Sequence, residues 1–142
     1  MSAYDLVIKG GRVATASDVF ASDIGIKDGR IVALAAGLPA ADADEVIDAT
    51  GHWVLPGGID SHVHIAQPSG EGIVMADDFE TGTRSAAFGG TTTIMPFCLQ
   101  QKGESLRAAL KAYQAKAEGE CYVDVSFHLI ISDPTEQVLG QE

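Results

Sequence analysis

Two histidines separated by a single residue, His62 and His64, are the side chains best placed to do chemistry in this sequence. They lie in a run of alternating polar and apolar residues that predicts a β-strand over 59–65. On a strand, residues i and i+2 point to the same face, about 6.6–6.8 Å apart along the backbone. Two imidazoles leaning together from that spacing can share one metal ion at Zn–N distances of about 2.0–2.1 Å. The pattern therefore indicates a candidate metal site that still needs further ligands, because zinc takes four.

Two other side chains could support this pair. Asp60 precedes His62 on the same predicted face and could orient a ligand histidine. His128 falls on a later predicted strand, 123–131, where it would point into a barrel near its mouth and act behind the metal ligands or beside the substrate. The alternative for His128 is an interior histidine satisfied by a local hydrogen bond. For His62 and His64, the alternative is a pair of cross-strand or solvent-facing histidines.

Other polar and glycine-rich features have structural interpretations. Asp77 and Asp78 could bridge metals, but they open a predicted helix, where carboxylates cap free N–H groups. Residues 89–93, Gly-Gly-Thr-Thr-Thr, follow a helix and precede a strand, the reverse of the order in a phosphate-binding loop. Cys98 and Cys121 show no CxxC spacing, so they indicate neither a disulfide framework nor a thiolate zinc site.

The elements that position these residues form two parts, predicted as domains over 1–55 and 56–142. In the first part, short apolar runs alternate with turn signals and show no helical period. Asp28-Gly29 between two such runs predicts a β-hairpin. The predicted strands are 6–8, ending at Gly10-Gly11, then 24–26, 30–34, 45–48 and 52–55. Such a pattern is typical of a small β-sandwich or partial barrel.

In the second part, strands and helices alternate. The predicted strands are 59–65, 91–98 and 123–131, and the predicted helices are 77–88 and 104–118. This order requires parallel pairing with right-handed crossovers, in either a doubly wound sheet or the beginning of a (β/α)8 barrel. Strand alternation predicts that Ile59, Val63 and Ile65 pack against helices. Three parallel strands leave an unpaired edge, so we expect further polypeptide to complete this fold.

Composition restricts the class of partner. The chain has 46% hydrophobic residues, which predicts a globular protein, and a net charge of −11 from 9 Lys and Arg against 20 Asp and Glu. Nucleic acids and anionic membrane surfaces both require a basic face, so neither is an expected partner. A small neutral or metal-bound substrate fits better, although the acidic residues have solubility as their simplest role. No signal peptide or stretch of about 20 apolar residues is found, and we expect a cytoplasmic protein.

Several separated motifs resemble one enzyme family. Residues 56–64, Pro-Gly-Gly-Ile-Asp-Ser-His-Val-His, resemble the PGxIDxHxH signature of the cyclic amidohydrolases, within the metal-dependent amidohydrolase superfamily. Segments 6–11 and 23–31 resemble the N-terminal β segment of that family. Segments 76–84 and 89–93 are most similar to its dihydropyrimidinase/D-hydantoinase branch. The resemblance covers essentially the whole chain, which corresponds to roughly the first third of a family member.

The resemblance implies a (β/α)8 barrel beside a β-sandwich built from both chain ends. The implied reaction is hydrolysis of a cyclic amide bond in a dihydropyrimidine or hydantoin ring. Two divalent metal ions, usually zinc, would be bridged by a carboxylated lysine and a hydroxide, with His62 and His64 on the more buried metal. The lysine, two further histidines and the catalytic aspartate are expected beyond Glu142, so the 142 residues alone are expected to be inactive. A homo-oligomer, either a tetramer or a dimer, is also implied.

Two positions depart from the family pattern. Dihydroorotases carry an arginine two residues after the second histidine, allantoinases tend to have asparagine there and hydantoinases aspartate, whereas this chain has Ala66. Pro96 stands where relatives usually place an aspartate at the end of the second barrel strand. Residues 65–75 correspond to a substrate-gating loop. An allantoinase-like ureide-ring hydrolase and a non-catalytic structural homologue therefore remain as alternatives.

Overall fold

The computed structural model describes residues 2–142 and divides into two compact units, one ending at Pro56 and the other beginning at Gly57. The chain is mixed α/β, as the sequence predicts, with nine strands and three α-helices among the described residues. Within residues 2–142, no helix is both long and apolar enough to cross a membrane.

The first unit is a five-stranded mixed sheet. Its strands are β1 (Tyr4–Ala14), β2 (Val19–Lys27), β3 (Arg30–Ala35), β4 (Ala43–Asp48) and β5 (Trp53–Val54), with a 3₁₀ turn at Ala40–Asp42. β2 lies between β1 and β3 and is antiparallel to both. β4 and β5 each pair in parallel with β1. β1 is thus the central strand, and its Val7 is fully buried. Each apolar run predicted as a strand overlaps one of these five.

The Asp28-Gly29 hairpin is confirmed. Lys27 pairs with Arg30 across the turn, and the two residues between them have positive φ values of 50° and 70°. Positive φ at both central positions is what a two-residue turn joining twisted strands requires. The backbone N–H of Asp28 donates to the carboxylate of Asp5 at 2.6 Å, and Lys27 pairs with the same carboxylate at 2.5 Å. These contacts fix the turn against β1.

The prediction that the first strand ends at Gly10-Gly11 is wrong, because β1 continues to Ala14 through a bulge between Ile8 and Gly11. Gly10 has a φ of 70°, and its N–H donates to the carboxylate of Asp23 at 2.7 Å. The hydrogen bond from this N–H lowers the pKa of Asp23 below its usual value, and the hydrogen bond from Lys9 lowers it further. A bulge therefore interrupts the ladder without ending the strand.

The second unit is a four-stranded parallel sheet with helices. In chain order its elements are β6 (Gly58–Val63), α1 (Phe79–Phe88), β7 (Thr91–Leu99), α2 (Leu106–Ala117), β8 (Asp124–Val125), β9 (His128–Ile130) and α3 (Glu136–Gln141). β6, β8 and β9 each pair in parallel with β7, so β7 is the central strand. The predicted alternation of strands and helices is confirmed, with α3 in addition.

A hydrophobic core fixes the helices against one face of this sheet. Its buried members are Ile65, Phe79, Ile94, Cys98, Ala109 and Tyr113. A Cβ at Gly82 would lie 3.1 Å from Ile65, so the absence of a side chain lets α1 approach the residue that follows His64. Both helices therefore contribute residues to the core around Ile65, which directly follows His64 in the chain.

The third predicted strand of this unit, 123–131, is not continuous. It consists of β8 and β9, with Ser126 between them donating its N–H to the Ile94 carbonyl at 3.1 Å. Phe127 packs against the core, whereas Leu129, which the alternation places on the same face, is 41% exposed. The break leaves the faces unchanged, because Val125 pairs with Ile94 and Leu129 pairs with Cys98, and both partners are buried on the helix side.

Candidate metal site

The two histidines lie near the carboxyl end of β6, the edge at which parallel α/β sheets bind ligands. Both side chains are exposed, and their ring centroids are 5.3 Å apart with an angle of 67° between the ring planes. Two imidazoles on one tetrahedral zinc have centroids about 5 Å apart, given Zn–N distances of about 2.0–2.1 Å. The separation of His62 and His64 therefore fits a single shared metal ion.

A bulge in β6 decides which residues share the histidine face. Asp60 pairs with Ile94 and Val63 pairs with Pro96, so two residues of β6, Ser61 and His62, stand opposite one residue of β7. Because Ile94 and Pro96 are buried on the helix side, their partners Asp60 and Val63 face that side too. The predicted common face of Asp60, His62 and His64 is wrong for Asp60. A bulge shifts the alternation by one residue.

The same bulge also changes which of the apolar residues in this segment pack against the helices. Ile59 pairs with Thr93 and is 67% exposed, so the prediction that it packs against helices is wrong. Val63 and Ile65, which follow the bulge, do pack in the core as predicted.

The side chains of Asp60 and His128 both contact the bulged backbone. The carboxylate of Asp60 accepts the N–H of His62 at 3.1 Å, and Nε2 of His128 lies 2.9 Å from the carbonyl oxygen of Ser61. Asp60 thus acts on the main chain of His62, and its contact is not with an imidazole. For His128, the contact joins β9 to β6 across 67 residues of sequence, so it is a long-range hydrogen bond and is compatible with either interpretation of this histidine.

Gln67 is a contact of His64 that sequence reasoning missed. Its Oε1 lies 2.6 Å from Nδ1 of His64. A proton on Nδ1 donated to this oxygen leaves Nε2 of His64 free to bind a metal, which is the arrangement seen in many ligand histidines. The spacing of three residues was visible in the sequence, but the loop geometry that joins the two side chains was not.

The loop after His64 is anchored to helix α2 and to the start of α1. The hydroxyl of Tyr113 donates to the carbonyl of Ile65, and Nζ of Lys116 donates to the carbonyl of Ala66 at 3.0 Å. The N–H of Ala66 donates to the carbonyl of Asp77 at 3.0 Å. Ala66 has a φ of 46°, a left-handed conformation that is uncommon for alanine. Three hydrogen bonds thus hold a strained turn directly after the second histidine.

Phe97 is the second contact that sequence reasoning missed. Its ring centroid lies 4.5 Å from that of His62, 5.1 Å from that of His64 and 4.7 Å from that of His128. The rings of His64 and His128 are stacked on it, with interplanar angles of 15° and 26°. The alternation of buried residues along β7 could have assigned Phe97 to the histidine face, but no pattern in the sequence shows that three imidazoles meet there.

The remaining candidate residues have structural roles. Asp78 is the N-cap of α1 and forms a reciprocal capping box with Thr81, so the cap interpretation is confirmed. Burial raises the pKa of both Cys98 and Cys121, which keeps the thiols protonated.

Within residues 2–142, no three side chains of histidine, cysteine, aspartate or glutamate are close enough together to hold a metal. His62 and His64 thus fit as two ligands of a metal and leave its other positions to different donors.

Comparison with known proteins places these residues in context. No family model matches the chain. It is 55% identical over 139 residues to a D-hydantoinase of Streptomyces coelicolor, covering 95% of this chain and 30% of that protein. It is 50% identical over 135 residues to a D-hydantoinase of Geobacillus stearothermophilus, covering 95% of this chain and 28% of that one. Over nearly its whole length, this chain is homologous to the D-hydantoinases and dihydropyrimidinases.

A solved structure supports the same relationship. The dihydropyrimidinase from Brevibacillus agri NCHU1002 superposes with a TM-score of 0.88 at 50% identity, covering 94% of this chain and 28% of that one. The resemblance inferred from the sequence motifs is therefore confirmed. The chain spans about 30% of the length of the curated relatives it matches.

Proposed function

We propose that this chain belongs to an enzyme that hydrolyses the cyclic amide bond of dihydropyrimidines or hydantoins. The observation that supports this most directly is the His62–His64 pair, 5.3 Å apart at the ligand-binding edge of a parallel sheet, in a chain 55% identical to a D-hydantoinase. Two divalent metal ions, zinc in the first instance, would supply an activated water and polarise the ring carbonyl. The expected substrate is a small cyclic amide.

In this proposal, His62 and His64 hold one of the metals. Asp60 and His128 hold the backbone between and beside them through the contacts at 3.1 Å and 2.9 Å. Gln67 fixes the proton of His64 on Nδ1. The residues described here thus bind and orient, whereas the groups that move protons during ring opening are expected elsewhere in the polypeptide.

The architecture follows from the same proposal. Residues 1–55 would form one side of a β-sandwich, and residues 56–142 would supply the first strands of a (β/α)8 barrel. A parallel sheet with helices on one face, whose histidines face the opposite side, is consistent with a barrel interior on that side. A cytoplasmic homo-oligomer completes the proposal.

The test is the metal content of the polypeptide expressed from the complete reading frame. Inductively coupled plasma mass spectrometry should find about two zinc or manganese ions per chain, as a binuclear site requires. His62→Ala should lower this number. His52→Ala is the matched control, because His52 is exposed in the first unit and its ring contacts the Thr50 carbonyl at 3.0 Å.

A screen for opening of hydantoin and dihydrouracil rings then tests the reaction. Metal that is retained in His62→Ala, or absent from all three proteins after reconstitution with zinc and bicarbonate, would contradict the proposal. The second result would favour a non-catalytic homologue, and opening of allantoin alone would favour the ureide-ring alternative.

A further inference from the structure

We propose that Phe97 and His128 form an aromatic support that sets the orientation of the two metal-binding imidazoles. This inference rests on the proposed metal site. Neither residue is itself a ligand in the proposal. Both act through His62 and His64, so they are positioning residues.

The first observation is the arrangement of the four rings. Phe97 lies between His128 on one side and the histidine pair on the other, with centroid distances of 4.7 Å to His128, 4.5 Å to His62 and 5.1 Å to His64. The planes of the His64 and Phe97 rings differ by only 15°. This stacking restricts rotation of the imidazole about its Cβ–Cγ bond. Aromatic pairs in such arrangements attract each other beyond the effect of the area they bury.

The second observation is the hydrogen bond of His128 to the bulge. Ser61 and His62 stand opposite a single residue of β7, so the regular ladder is interrupted where the first ligand lies. Nε2 of His128 supplies a donor to the Ser61 carbonyl at 2.9 Å. Because its Nε2 carries that proton, the ring of His128 is held in one orientation against Phe97. His128 thus contacts both the backbone next to His62 and the Phe97 ring, which packs against His62 and His64.

The third observation is exposure. His62 and His64 are exposed in the second unit, and exposed side chains have rotamer freedom that metal binding must remove. A ring that already restricts both imidazoles lowers this entropic cost before the metal arrives. The expected consequence is tighter metal binding. Loss of a hydrogen-bonding partner of a metal ligand typically lowers metal affinity by about 10–100-fold, and we expect loss of the ring contacts to have an effect at the lower end of that range.

The test measures zinc affinity by competition with a chromophoric chelator, in the polypeptide from the complete reading frame. Phe97→Leu should weaken zinc binding by about tenfold, and Phe97→Tyr, which keeps the aromatic face, should restore most of the affinity. Phe127→Leu is the matched control, since Phe127 stacks edge-on with Phe79 and Tyr113 on the helix side. It should lower the melting temperature and leave zinc affinity unchanged.

His128→Phe separates the two contacts of His128, because it keeps a ring against Phe97 and removes the donor to Ser61. It should weaken zinc binding, and its effect should be less than additive with that of Phe97→Leu because the two residues act on the same ligands. If His62→Ala weakens zinc binding while Phe97→Leu and His128→Phe bind zinc like the Phe127→Leu control, the aromatic support is refuted and the metal site stands. If His62→Ala binds zinc normally, the metal site itself fails, and this inference fails with it.

Discussion

The carboxylate of Asp60 accepts a hydrogen bond from the backbone N–H of His62 at 3.1 Å, within the bulge that interrupts strand β6. A backbone donor outside a regular ladder needs such a partner. The contact uses one carboxylate oxygen as an acceptor and does not require its charge. Asp60 therefore contributes to the site by fixing the main chain from which the first histidine projects.

This relationship predicts different results for two substitutions of Asp60. Asp60→Asn keeps an acceptor oxygen and should retain nearly full zinc affinity. Asp60→Ala removes the acceptor and should weaken zinc binding roughly fivefold, corresponding to the loss of one ordinary hydrogen bond. Chelator competition on the full polypeptide measures both. Equal losses in the two variants would show that the negative charge matters, and would reject a purely backbone role.

Tyr113 should control the turn after His64. Its hydroxyl donates to the Ile65 carbonyl and is buried, with the residue only 4% exposed. Tyr113→Phe should lower the free energy of unfolding by about 1 kcal/mol, because the carbonyl loses its partner. Urea denaturation measures this loss. Tyr122→Phe serves as the control, since Tyr122 is 61% exposed.

Tyr113 also predicts a dependence on alkaline pH. Burial, with a smaller contribution from Cys98, raises the pKa of Tyr113 from 10.0 to about 12. Because the unfolded chain releases this proton at lower pH than the folded chain, the stabilisation is complete below about pH 10 and is lost as the pH rises toward about 12. The phenolate absorbance of the folded protein should contain a component that titrates late and is missing in Tyr113→Phe. If the component lost in Tyr113→Phe titrates near pH 10, like an ordinary tyrosine, the burial of the hydroxyl is contradicted.

Asp78 should stabilise helix α1 without contributing to metal binding. Its carboxylate accepts the N–H of Thr81 at 2.8 Å, and the Thr81 hydroxyl accepts the N–H of Asp78 at 3.2 Å. Asp78→Ala should lower the melting temperature by roughly 2–4 °C, and Asp78→Ser, which can still cap, should recover most of it. Metal content should be the same in all three proteins. A metal content that fell in Asp78→Ala would revive the metal-bridging interpretation of this acidic pair.

Local sequence signals were sufficient where local chemistry determines the structure. The Asp28-Gly29 turn, the capping role of Asp78 and the helix that begins at Leu106 all depend on residues close together in the chain. The spacing of His62 and His64 likewise suggested a shared face, and the rings do come together at 5.3 Å. These features could be predicted because strand alternation and helix capping act over a few residues.

The missed features depend on partners distant in sequence. The bulge in β6 appears only when Val63 is paired with Pro96, and it moved Asp60 to the helix side. A period-two pattern assumes unbroken pairing, so it cannot reveal such a shift. The contact of Phe97 with His128 likewise requires β7 and β9 to be in register. The sequence alone therefore identified the candidate ligands but not the residues that orient them.

The 142 residues, expressed alone, should open neither hydantoin nor dihydrouracil. His62 and His64 provide two imidazoles, and no group of three potential ligands is close enough to hold a metal within residues 2–142. A zinc site needs four donors, and a binuclear site needs more. Ring opening can be followed by loss of ultraviolet absorbance, with the polypeptide from the complete reading frame as the positive control. Turnover by the purified 142-residue chain that is abolished in His62→Ala but not in His52→Ala would show that these residues suffice for catalysis, and would overturn the division of roles proposed here.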